Sequence, residues 1–197
     1  MFSADSSGGM RAFRNNVQRH FEIALVLTFC MSPLQSATLE RLSLNDMIGK
    51  STAIVRGTVT GSHTTFQAPI IYTHYTIQVA ERLKGAGASS VDVVVPGGTV
   101  NNVRQTFPGT PQLNVGEDFV FFLWTGKSGL TQIIGLTQGL FAIPKSSAAN
   151  PTATRAASRE VMLDPVTAHQ VKDETLVMSL SDLRSRIAST LGGGATH

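Results

Sequence analysis

Phe119-Val120-Phe121-Phe122-Leu123-Trp124 is an unbroken run of large apolar side chains. It is preceded by Asn114-Val115-Gly116-Glu117-Asp118 and followed by Thr125-Gly126-Lys127-Ser128-Gly129. The run is short, and its aromatic and β-branched content favours a strand over a helix. No residue in it is polar, so both of its faces must be covered, and its flanks carry strong turn signals. A central strand with structure packed on either side is therefore predicted.

Working outward, residues 52–62 alternate Ala53, Val55, Gly57 and Val59 with Ile54, Arg56, Thr58 and Thr60, a first strand with one mostly polar face. Gly57 in mid-strand predicts a bend or a close backbone contact. Residues 63–69 read as the connecting loop. Residues 70–83 read as a long second strand, Tyr75, Ile77 and Val79 alternating with His74, Thr76 and Gln78. Val91, Val93 and Val95 mark a third strand. Residues 99–117 form a long connection with no clear element, unless 100–103 forms a short edge strand; it is either a plain crossover loop or the first place to look for a binding surface. Further strands are predicted at 131–136, 140–143 and 161–163, with a mobile loop or hairpin tip at 145–155.

Helices are expected only at the ends. Ser43 can cap a short one over 43–49, with Gly49 at its left-handed stop. Ser181 can cap a second, on which Leu183, Ile187 and Leu191 share a face, and Gly192-Gly193-Gly194 ends it. The fold class is mainly β: a small OB-like (oligonucleotide/oligosaccharide-binding-like) β-barrel, or alternatively a β-sandwich, with a short N-terminal helix and a C-terminal helix.

The 197 residues, 42% apolar and 15% charged, suit one globular domain. Arg11, Arg14 and Arg19 precede an apolar stretch over 23–31 and then Pro33-Leu34-Gln35-Ser36-Ala37, the layout of a secretory signal. That stretch is shorter than the ~20 residues a membrane span needs. The expected organisation is a signal peptide over 1–37, an OB-like β-barrel domain over 38–175, and a C-terminal helix with a disordered tail over 176–197. The destination is secreted or periplasmic, with no stable membrane span after signal removal. Cys30, the one cysteine, falls in the segment expected to be removed. No basic cluster interleaved with aromatics remains, so nucleic acid is not an expected partner.

Short motifs add a resemblance. Ala53-Ile54-Val55-Arg56-Gly57-Thr58-Val59, then Val79-Ala80-Glu81-Arg82-Leu83-Lys84-Gly85, then Gly116-Glu117 before the apolar strand, resemble the NTR/TIMP-like OB-fold domains of exported bacterial proteins. The resemblance implies an OB fold. TIMP-type inhibitors act through an N-terminal cysteine that chelates the protease zinc. The chain expected after signal removal is cysteine-free, so that mechanism has no residue here.

Chemistry-bearing motifs are sparse. Gly49-Lys50-Ser51-Thr52 resembles the end of a phosphate-binding loop, but Leu44 stands where the first glycine is required and a strand follows. Gly85-Ala86-Gly87-Ala88-Ser89-Ser90 precedes a strand and reads as a turn. His63 and His74 flank the first hairpin without a third metal ligand at a telling spacing. Glu81 and Asp92 could meet across a hairpin, and read better as solvated strand-end charges. No Gly-x-Ser-x-Gly is present. Trp124 and Tyr75 read as core rather than as ligand-stacking residues.

No catalytic residue, metal site or cofactor is assigned. The expected function is an exported, non-catalytic binding or interaction module. Its partner would be a protein or glycan of the cell envelope or medium, held by Arg56, His74, Gln78, Arg104 and Phe107. The alternatives are an extracytoplasmic hydrolase or, by fold analogy, a protease inhibitor. Phe107, apolar in a polar loop, reads as an anchor tucked under the barrel.

Overall fold

In the computed structural model, residues 38–145 and 148–193 are described. The predicted signal segment and the tail beyond residue 193 lie outside them. After a short strand β1 (Thr38–Glu40), α1 (Leu44–Lys50) starts at Ser43. The Ser43 Oγ accepts from the Asp46 amide at 3.1 Å, and the Asp46 carboxylate accepts from the Ser43 amide at 3.1 Å. Two helix-end donors are thus satisfied reciprocally. The Ser43 hydroxyl and amide hold the Asp46 carboxyl below its ordinary range. Its stabilising contribution is therefore present above the ordinary aspartate value of about 3.9 and lost as the pH falls from there through the lowered one. Ser43→Ala should cost about 1 kcal/mol, a deficit that urea titration should find smaller in acid than at neutral pH. Gly49 lies within the helix, not at a left-handed stop. The helix ends on the Ser51 amide and hydroxyl, which both donate to the Met47 carbonyl, while Lys84 Nζ donates to the Ile48 and Gly49 carbonyls at 2.7 and 3.0 Å.

β2 (Ala53–Gln67) and β3 (Ile70–Lys84) form a long hairpin. The predicted 63–69 loop is strand as far as Gln67, with Thr64 opposite Thr73 and Thr65 opposite Tyr72. The arm is polar because its end is exposed, and its Thr and Phe residues are strand formers. At Gly57 a Cβ would lie 2.5 Å from the Gln78 carbonyl oxygen and 2.8 Å from Ile77 Cγ2. Gly57→Ala should therefore cost about 1–3 kcal/mol, read as a lower urea midpoint.

β4 (Ser90–Pro96) pairs with β3, and β5 (Gly98–Val100) with β6 (Val103–Gln105) in a small hairpin. This hairpin opens the long connection, and residues 100–103, where an edge strand is the one element the sequence offers, hold its turn and the strand ends beside it. Its turn is Asn101-Asn102, with φ of 48° and 63°. Asparagine tolerates the left-handed region that a two-residue hairpin turn requires.

β7 (Asp118–Thr125) is the central strand, paired with β2, with β8 (Thr131–Ile133) and with β9 (Leu140–Ile143). β10 (Thr152–Arg155), inside the stretch expected to be a mobile loop or hairpin tip, joins β9 to β13 (Leu176–Ser179). The ladder runs β13-β10-β9-β7-β2-β3-β4, with β8 on β7. β11 (Val161–Leu163) pairs in parallel with β1 and antiparallel with β12 (Gln170–Val171). The protein is mainly β, and the ladder is not closed into a barrel. Val94, Val95 and Pro96 of β4 face Gln132 and Ile133 across a cleft of about 240 Å³, with no ladder between these strands.

Both faces of β7 are covered, as its composition requires. Phe119, Phe121 and Leu123 pack with Val55, Val59, Tyr75, Ile77 and Val93. Val79 is only partly buried there. Val120 and Phe122 pack on the other side with Ile54, Phe141, Met47, Ile48, Leu183 and Ile187. The last two belong to α2 (Leu180–Gly193), whose first turn is capped by Ser179, not Ser181: the Ser179 hydroxyl accepts from the Asp182 amide at 3.1 Å. Trp124, at the end of β7, is 46% exposed, a departure from the expected core position.

Candidate functional site

β3 divides two surfaces, because successive side chains alternate between its faces. Thr73 and Tyr75 face a cleft of about 270 Å³ roofed by the β5–β6 arm and the chain that follows it. Arg104, Gln105, Phe107 and Thr110 line the same cleft. Gln105 is structural: its carbonyl oxygen accepts from the Ile71 amide at 2.7 Å and its amide donates to the Pro69 carbonyl at 3.0 Å. These bonds tie the arm to β3.

Three groups in this cleft are left over. Among the described residues Arg104 makes no ion pair or hydrogen bond through its side chain and stands exposed. The Thr110 hydroxyl is buried without a partner. Phe107 lies near Gly97 but stays 39% exposed, so it is not the fully tucked anchor expected of it. A buried hydroxyl without a bond costs free energy, and arginine is among the residue types enriched where binding energy concentrates.

The other three predicted contact residues lie elsewhere. Arg56 donates through Nε and Nη2 to Asp118 Oδ2 at 3.1 and 2.6 Å, bracing β2 against β7. Gln78 donates to the Ser89 carbonyl at 3.0 Å and ties β3 to the turn before β4. Each thus already spends side-chain donors within the fold. His74 lies on the face of β3 opposite the cleft, in a polar array that sequence reading missed.

In that array His74 is 8% exposed. Its Nδ1 is 2.7 Å from Asp92 Oδ2, and its Nε2 is 2.9 Å from Thr65 Oγ1. His63, its direct cross-strand partner, stacks on it with ring centroids 4.7 Å apart and planes 18° from parallel. Asp92 pairs here rather than with Glu81, whose carboxylate accepts from Arg184 of α2 at 2.6 Å. Stacked rings direct their nitrogens along parallel planes, and both nitrogens of His74 are engaged. Among the described residues no group of three His, Cys, Asp or Glu side chains could hold a metal, and no helix is long and apolar enough to cross a membrane. The signal for the array was the β2–β3–β4 register: once 63–67 is a strand, Thr65, His74 and Asp92 fall diagonally on one face.

Compared with known protein families, curated proteins and solved structures, the chain matches none.

Proposed function

We propose that the protein is an exported binding module, secreted or periplasmic, that holds its partner in the cleft beneath the β5–β6 arm. The observation that carries this reading is the coincidence of two accessible, unspent groups there: the Arg104 guanidinium and the Phe107 ring. Their chemistry fits a protein segment or glycan that presents a carboxylate next to an apolar surface. A guanidinium takes a carboxylate through two parallel bonds. The order of β2, β3, β4, β7 and β8 supports an OB-like, NTR/TIMP-like reading, in which β4 and β8 would meet at the open seam. Domains of that type commonly bind through central strands and the loops beside them.

The test is recovery of partners from the envelope and medium fractions with the wild type, Arg104→Ala and Phe107→Ala. Each substitution should weaken recovery about tenfold, as loss of a contact worth roughly 1–2 kcal/mol does, without moving the thermal midpoint. Undiminished recovery by both folded variants rejects the cleft. Mass spectrometry of the native N-terminus tests export separately: a chain that keeps residues 10–30 and stays in the cytoplasm rejects it.

A further inference from the structure

The array on the far face of β3 has the order of parts found in nucleophilic hydrolases: a hydroxyl, an imidazole and a carboxylate joined by two hydrogen bonds. An ionised Asp92 can only accept, so in the neutral His74 ring Nδ1 carries the hydrogen. Nε2 is then an acceptor, and the hydrogen in the 2.9 Å contact belongs to Thr65 Oγ1. A nucleophile within hydrogen-bond reach of a base, itself oriented by a third group, is the diagnostic arrangement. Burial of His74 and stacking by His63 restrict the ring to one orientation. Thr65 is half-buried and Asp92 half-exposed, so the site opens to solvent. Tyr72, the direct cross-strand partner of Thr65, and the exposed His63, Gln67 and Thr76 are side-chain donors on that face. The Tyr72 hydroxyl has no hydrogen-bond partner among the described residues, which leaves it available to a developing oxyanion.

The geometry points to an ester-hydrolysing site with Thr65 as nucleophile, His74 as general base and Asp92 as positioning residue. It is independent of the cleft, which lies on the other face of β3. Thr65 Oγ1 bonds to the acyl carbon as its proton passes to His74 Nε2. The bond from that carbon to the leaving alkoxide or phenoxide breaks, and the leaving group takes the proton from Nε2. Water then attacks the acyl carbon and gives a proton to Nε2. The Thr65–acyl bond breaks and Oγ1 recovers that proton, so ester and water become acid and alcohol. With Asp92 and His63 open to solvent, the fitting substrate is an ester presented on a larger molecule, and a small activated ester can report on the chemistry.

The experiment is incubation of the full chain with p-nitrophenyl acetate, followed by acid quench and peptide mapping. A burst of p-nitrophenol with one acetyl group on Thr65 is expected. Thr65→Ser should keep the activity, and Thr65→Ala should lose both burst and adduct. His74→Gln should slow acylation about 10²-fold or more. Asp92→Asn should lower the rate and displace its pH profile, with Asp92→Glu restoring both in part, which a merely structural carboxylate would not do. Acetyl found on His63, His74 or a lysine with Thr65 unmodified overturns the assignment. So does p-nitrophenol release no faster in the wild type than in folded Thr65→Ala. Neither of these readings depends on whether the His74 variant folds.

Discussion

Phe121→Ala is expected to lower the free energy of unfolding by about 3–5 kcal/mol. The ring is fully buried and meets Phe119 edge-on, with centroids 5.5 Å apart. Removing it loses that aromatic contact and the transfer free energy of the side chain. What places the loss in the upper part of the range is the backbone. Phe121 is in register with Val55 on one side and Leu140 on the other, so two ladders pin β7 in place. A strand held this way cannot relax into the space left behind, and an unfilled cavity adds to the cost. The measurement is a urea titration in which the midpoint falls while the slope stays constant. Trp124→Ala, at the half-exposed end of the same strand, should shift the midpoint far less. Equal shifts for the two, or none for Phe121→Ala, would mean that β7 is not the centre of the core.

The same strand shows which parts of the fold are legible in the chain. An apolar run with no polar residue demands two covered faces, and the structure supplies one layer around Val55 and Ile77 and another around Phe141 and Leu183. The short helix was legible because its cap is local: Ser43 and Asp46 are three residues apart and bond each other. The distal half of the β2–β3 hairpin was not. A solvent-facing arm carries Ser, His and Thr on both sides, and periodicity cannot separate that from a loop. The Thr65–His74–Asp92 array was hidden with it, since the array exists only in the register of that arm. Arg104 and Phe107 lie close in sequence, Arg104 in β6 and Phe107 just after it, and both line one cleft. Arg56 and Gln78 have polar side chains on an exposed-looking face, yet their partners, Asp118 and the Ser89 carbonyl, lie on other elements. Short strands such as β10 and β13 carry little pattern of their own and owe their state to the ladder that receives them.

Asp173→Ala should cost about 3–5 kcal/mol, as removal of one member of a buried ion pair does. Asp173 and Arg155 have side chains only 1% and 4% exposed, with Arg155 Nη2 2.7 Å from Asp173 Oδ1. The other carboxylate oxygen accepts from the Ser158 amide at 2.8 Å, and Arg155 Nη2 also donates to the Glu174 carbonyl at 2.7 Å. Among the described residues Arg155 Nε has no partner. Truncating Asp173 therefore leaves a guanidinium that is mostly desolvated and cannot be neutralised, together with an unpaired amide. The pair also fastens the segment that carries β11 and β12 to the end of β10, so the loss should be global rather than a local fray. Two comparisons separate this from an ordinary surface bridge. The deficit should persist in high salt, whereas any contribution of Lys50–Glu40, about half-exposed on both sides, should be screened. The double substitution Arg155→Met with Asp173→Leu should recover much of the loss, because it removes the charge along with its partner. A double variant as unstable as Asp173→Ala would instead place the cost in lost packing around residue 173, and the ion pair would not be what holds that segment to the sheet.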